Sequence, residues 1–308
     1  MDVWARLRRR PGGGADDGGA ARRRGGLGRA AALSVLVVLL AVGGYVVYQR
    51  TRPYFHGSGC EVATSTGTMS LDLEQAANAS TIAAVAFRKR LPERAVVIAY
   101  ATAIQESDIR NLRDGDRDSV GMFQQRPSQG WGTPDKLRDP VHATSKFFDA
   151  LVRVKGYQNH ELHVAAQEVQ RSADGSAYAR HEDEGVLLAK AFTGSEPATA
   201  RCWYPPDRQT RSRRPEALRE MRRAFGSRLQ VGGPGPLTKG AASRPDSWNA
   251  VKAPSTRQGW AVATWAMAHA QIYGLTEIRY AGRHWRAEAG HDGWTPDESA
   301  TDDTVIVK

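Results

Sequence analysis

The sequence predicts a mainly α protein, and three observations carry that expectation. Between residues 72 and 192 apolar side chains recur at helical spacing, with no strong strand alternation. Ahead of that region, residues 30–48 are 19 uncharged, largely apolar positions, about the length that spans a bilayer as a helix. Behind it, residues 259–308 open on an amphipathic helical pattern and close on short strand patterns, which reads as a small α+β unit.

The N-terminal segment comes first. The chain has 308 residues, 41% hydrophobic and 25% charged, an ordinary globular composition with room for one or two domains. Its net charge of +10 suggests a nucleic-acid partner until the charge is mapped. Residues 1–59 hold ten Arg and three Asp, or +7, so the other 249 residues carry 33 basic and 30 acidic groups, only +3. No nucleic acid is expected. Arg6, Arg8, Arg9, Arg10, Arg22, Arg23, Arg24 and Arg29 precede the apolar stretch, and only Arg50 and Arg52 closely follow it. The positive-inside rule makes residues 1–29 a basic cytoplasmic tail, 30–48 a single transmembrane anchor, and the bulk of the chain extracellular. The long polar lead, the length of the apolar run and the lack of a small-x-small site after it speak against a cleaved signal peptide. Cys60 follows Gly57-Ser58-Gly59 with no leucine, a poor lipidation site.

On the exported side, helices are expected at residues 72–90, 92–107, 139–154, 161–172 and 176–192. Pro92 suits a first helical position, and Val96, Val97, Tyr100 and Ile104 give the second helix its apolar stripe. Cys60 and Cys202 are the only cysteines and bracket this region almost end to end, so a disulfide joining them is the natural reading in an oxidising compartment.

The second helix carries the most informative residue. Glu106 falls near its C-terminal end, in Ala103-Ile104-Gln105-Glu106-Ser107. There the negative end of the helix dipole and low-dielectric surroundings both disfavour a charged carboxylate, the condition a general acid needs at neutral pH. Glu-Ser at a helix end, then a polar loop, then Ser119-Val120-Gly121-Met122-Phe123-Gln124, resembles the lytic transglycosylase and goose-type lysozyme superfamily, over roughly residues 72–195. The tract from Gly115 to Gly132 is similar to that of membrane-anchored actinobacterial proteins carrying this domain.

The resemblance implies a lysozyme-like helical domain over residues 60–202 that binds and cleaves peptidoglycan at the MurNAc-GlcNAc β-1,4 bond, with Glu106 as catalytic acid and base and no cofactor. It implies that Ser107, Gly121, Met122, Phe123 and Gln124 line the glycan groove. A later family motif is matched more loosely by Gln167, Gln170 and Tyr178, the Ala-Tyr-Asn form being absent. Gln125 and Trp131 lie in the same loop, where amides and an aromatic ring suit hydroxyl- and acetamido-rich sugars, although Trp131 suits a core position equally well.

In that family the single acid protonates the glycosidic oxygen, then takes the proton of the muramic acid 6-hydroxyl as a 1,6-anhydro ring closes. A muramidase instead needs a second carboxyl group to act on water, and Asp114, Asp116 and Asp118 are the candidates. A non-catalytic wall-binding or scaffold protein is the further alternative. The spacing of the three aspartates also resembles the start of a calcium loop, but Ser119 stands at position six and Gln125 at position twelve. His160-Glu161-Leu162-His163 lacks zinc-protease spacing, and no metal is expected.

Residues 203–258 carry twelve Lys or Arg against four acids. They read as a basic helix and linker whose counterpart outside the cell is an anionic wall polymer or lipid headgroup. The last unit, 259–308, is expected to hold a helix from Trp260 to Tyr273 and strands at Glu277–Tyr280, His284–Arg286 and Thr304–Val307, as an accessory unit without catalytic residues.

Overall fold

The computed structural model describes residues 33–48, 57–172, 174–235 and 248–308. The chain divides into two compact units, Met1–Arg52 and Pro53–Lys308. In the first, residues 33–48 form helix α1, exposed along its whole length, with Leu33, Leu36, Leu39 and Leu40 more than half exposed. Sixteen residues rise about 24 Å, less than the ~30 Å hydrocarbon core of a bilayer. Among the described residues no helix is long and apolar enough to cross a membrane. Residues 30–32 of the expected anchor and the whole tail 1–29 lie outside the described residues.

The second unit corrects the expected fold class. It is mixed α/β, with about half the structure helical and the strands antiparallel. Strands β1 (Gly59–Thr64), β2 (Gly67–Leu71) and β3 (Ala200–Trp203) form a sheet in the order β2-β1-β3. Cys60 and Cys202 are register partners across β1 and β3 and are joined by a disulfide 142 residues apart in sequence. Closing a loop of that length stabilises the fold by about 4–5 kcal/mol on the chain-entropy model. Burial along β1 and β2 does not alternate residue by residue, so the sequence carries no period-two signal there.

Within the disulfide loop the helices come close to expectation. Helix α2 (Leu73–Lys89) starts from a capping box in which Asp72 and Gln75 bond each other's backbone nitrogens. It is buried around its whole circumference from Gln75 to Ala86, so it is the central helix, and its many alanines let neighbours approach. Helix α3 (Glu93–Ser107) lies against α8 (Glu182–Phe192), and Gly185 is what permits the contact: a Cβ there would sit 2.8 Å from the Val97 carbonyl oxygen. Between them run α4 (Pro134–Leu137), α5 (Pro140–Leu151), capped by Asp139, α6 (Leu162–Gln170) and α7 (Ser176–Ala179). The single helix expected at 176–192 is therefore broken at residues 180–181.

The expected division of the C-terminal third is also corrected. The expected basic helix is α9 (Arg214–Phe225), but it is part of the core and not a detached segment: Ala217, Leu218, Met221, Ala224 and Phe225 are buried and it packs on α2. Its apolar stripe at helical spacing is masked in sequence by the arginines around it. Residues 259–308 are not a separable unit. Helix α10 (Thr256–Ala268), followed by α11 (Ala270–Tyr273), buries ten consecutive residues from Gly259 to Ala268 against α2, α8 and the second sheet. That sheet contains β4 (Val231–Gly235), β5 (Trp248–Lys252), β6 (Glu277–Tyr280), β7 (Arg283–Arg286), β8 (Thr295–Pro296) and β9 (Thr304–Val307), in the order β4-β5-β9-β6-β7-β8. Trp285 and Trp294 donate their indole N–H groups to the carbonyl oxygens of Cys202 and Ala200, tying this part to the disulfide strand.

Candidate active site

Glu106 sits in the last turn of α3, half-buried. Its Oε1 accepts a 2.6 Å hydrogen bond from the Tyr178 hydroxyl. Burial first, and then the Glu106 carboxylate, hold the Tyr178 phenol well above its ordinary range, so it remains a donor. The break between α7 and α8 is what lets Tyr178, 3% exposed, reach the helix end. Oε2 has no protein hydrogen bond among the described residues, which leaves one carboxyl oxygen for a substrate.

The backbone behind Glu106 is strained. Asp108 (φ 55°) and Ile109 (φ 60°) are consecutive left-handed residues, and a β-branched residue there is a true outlier. Each such residue costs on the order of 1–3 kcal/mol. The turn returns N–H groups to the helix, Asp108 to Ile104 O at 2.9 Å and Ile109 to Ala103 O at 3.0 Å. Two buried side chains of α2 clamp it from the other side: Gln75 Nε2 donates to Asp108 O at 2.9 Å and Asn78 Nδ2 to Ile109 O at 2.7 Å.

The Gly-Met-Phe-Gln segment is beside the acid, but its side chains face inward. Ser107 is buried and its hydroxyl donates to Met122 O at 2.8 Å, joining the helix end to this segment. Met122 and Phe123 are 0% exposed, Phe123 stacking on Phe147 at 4.5 Å, so neither side chain can line a groove as expected. Gly121 (φ 78°) must be glycine: a Cβ would lie 2.3 Å from the Leu137 carbonyl oxygen. Gln124 folds back, its Nε2 donating to Gly121 O and its Oε1 accepting from Ser119. Gln125 is buried and donates to Ala143 O at 3.3 Å, and its Oε1 has no partner among the described residues. Apart from half-buried Gln124, what the segment can offer a ligand is backbone.

The other expected residues divide. Gln170 Nε2 donates to Phe123 O at 2.7 Å, bracing the same segment from α6. Gln167 bonds Ser172 O at 3.3 Å on the α6 end. Trp131 is half-buried on a separate hollow of about 330 Å³, lined also by Lys146, Arg153 and Glu168 but by neither Glu106 nor Tyr178. Asp118 accepts from Arg126 Nε (2.8 Å) and Ser128 N (2.8 Å). The Ser128 N–H first, then Arg126, pull its carboxyl down to about 2. It staples its own loop. Asp114 and Asp116 are exposed, and Asp116 uses its backbone carbonyl to hold Ser119.

A polar chain flanking Glu106 has no counterpart in the sequence reading. Gln105 Oε1 accepts from Arg180 Nη2 at 2.8 Å and lies 3.2 Å from His181 Nε2, while His181 Nδ1 meets Glu184 at 2.5 Å. The i, i+3 spacing of His181 and Glu184 is visible in sequence; Gln105, 76 residues away, is not. Among the described residues no three His, Cys, Asp or Glu side chains gather as a metal site. The chain matches no protein-family model, and none of the curated proteins matches it.

Proposed function

We propose that this protein is an extracytoplasmic peptidoglycan-cleaving enzyme of the lytic transglycosylase type, with a lysozyme-like domain and an anchor at residues 30–48. The observation that carries the reading is the single half-buried Glu106, gripped on one oxygen by Tyr178 and open on the other. A glycosidic oxygen placed at Oε2 receives the proton. The same carboxylate, held in place by Tyr178, then accepts the proton of the muramic acid 6-hydroxyl as the anhydro ring closes, so the substrate supplies the nucleophile and no water is activated. The engagement of Asp118 with Arg126 and Ser128 favours this over a muramidase, since that candidate for a second carboxyl group already has both oxygens hydrogen-bonded within its own loop.

The disulfide supports the outside location, since such bonds persist in oxidising compartments. The exposed apolar α1, preceded by the arginine-rich tail, supports the anchor. Arginines of 203–258 that remain exposed, such as Arg211 and Arg222, are the surface for anionic wall polymers. The test is release of soluble fragments from purified wall by the full-length protein. Glu106→Gln should abolish release and leave wall binding intact; release by that variant at the wild-type rate overturns the reading.

A further inference from the structure

Gln105 and Glu106 are consecutive in the last turn of α3, and both are half-buried. One short stretch of chain, across the break between α7 and α8, grips the two of them. Tyr178 donates to Glu106 Oε1, while Arg180 and His181 reach Gln105 Oε1.

That grip fixes which way the Gln105 amide faces. A guanidinium only donates, so the atom 2.8 Å from Arg180 Nη2 is the carbonyl oxygen and not the nitrogen. His181 Nε2 lies 3.2 Å from the same oxygen, and Glu184 holds the far side of the ring, 2.5 Å from Nδ1. The oxygen is therefore engaged twice, and the nitrogen is left over. Gln105 Nε2 makes no hydrogen bond among the described residues and is not sealed from solvent. A tie between α3 and α8 needs only the oxygen. The other end of the amide carries two N–H bonds and no acceptor, so what it can bind is an acceptor oxygen.

We propose that Gln105 is a substrate-binding residue, its amide N–H donating to an acceptor oxygen of the sugar bound at Glu106, with Arg180 and His181 holding the amide in that orientation. The inference rests on the reading of this site as a glycan-cleaving one for the identity of the ligand. The donor of Gln105 and the open oxygen of Glu106, one residue apart, then hold the sugar at two points, which sets how it faces the carboxyl group.

The test is binding of purified peptidoglycan by the full-length protein in detergent, in a Glu106→Gln background so that no bond is cleaved, read as the wall concentration that sediments half of the protein. Gln105→Glu keeps an oxygen for Arg180 and His181 and puts an acceptor where the donor was. Gln105→Met is uncharged, of similar length, and has no donor. Each should raise the half-saturating concentration about tenfold, the effect of losing a hydrogen bond and leaving its partner unsatisfied. At a salt concentration that screens surface charge, Arg180→Lys keeps a donor for Oε1 and should bind as the parent does, whereas Arg180→Met frees the amide to turn and should weaken binding several-fold. Unchanged binding in Gln105→Met overturns the proposal, as does a loss confined to Gln105→Glu, which would trace to charge and not to the donor. A parent variant that does not bind the wall at all overturns it too. Binding that depends on Gln105 without any cleavage by the wild type sinks the enzyme reading and leaves this contact standing; Glu106-dependent cleavage with binding indifferent to Gln105 sinks this contact alone.

Discussion

Tyr178 and Glu106 meet across 72 residues of chain, and the account places the chemistry in that pair. Tyr178→Phe removes one hydrogen bond to a charged group, typically about 1.5–3 kcal/mol. Wall cleavage should therefore fall roughly ten- to hundredfold in kcat, with wall binding retained, as steady-state fragment release would show. His269 supplies a residue-scale test of stability. Its folded value of about 4 lies below the ordinary 6.5, so the neutral ring stabilises the fold fully above pH 6.5, and that contribution is lost as pH falls from 6.5 through 4. Denaturant unfolding should show stability declining over that window by up to about 1.4 kcal/mol per pH unit from this residue, and His269→Phe should flatten the slope. The position of Glu106 at a helix end was legible from the apolar period of that helix, and the disulfide because Cys60 and Cys202 are the only cysteines. Asn78 and Gln75 were not, because a polar residue on a helix gives no sign of which backbone carbonyl it will meet.

At the scale of elements, the helix end that presents Glu106 is held by side chains rather than by its own sequence. Asp108 and Ile109 adopt left-handed backbone that neither residue favours, and α2 fixes them through Gln75 and Asn78. Asn78→Ala leaves the buried Ile109 carbonyl without its donor, so we expect a loss of about 1–3 kcal/mol in denaturant unfolding together with reduced cleavage, because the turn is free to relax. Stability lost with cleavage unchanged would mean the strain has no part in placing the acid. Helices over residues 72–192 were legible because their apolar period is long and regular. The strands β1, β2 and β3 were not: β1 and β2 lack a clean alternation, and β3 is ordered by pairing with β1 across 142 residues of chain. Met122 and Phe123 show a different limit: their motif marks the position of the loop, but which way a loop side chain points depends on what packs behind it, here Phe147.

For the whole molecule, the main revision is that residues 203–235 and 248–308 complete the body instead of following it. Helix α9 covers α2, α10 lies against α2 and α8, and two tryptophans fasten the second sheet to the strand that carries Cys202. Arginine count and a Gly/Pro-rich stretch pointed to a linker because composition is blind to the apolar stripe of Leu218, Met221 and Phe225 beneath the charge. A chain ending at residue 258 would lose most of α10 and with it Trp260 and Trp265, both buried. It should fail to give a cooperative thermal transition by circular dichroism, whereas a dispensable accessory unit would leave the transition of the remainder intact. The Cys60–Cys202 disulfide closes this folded body covalently. Whether one carboxyl group carries the cleavage is decided by mass spectrometry of purified peptidoglycan incubated with full-length wild-type protein and with Glu106→Gln. The expected result is 1,6-anhydromuramic ends that appear with the wild type and are absent with the variant; reducing ends, heavier by one water, or no Glu106-dependent product at all, would overturn the single-carboxylate mechanism.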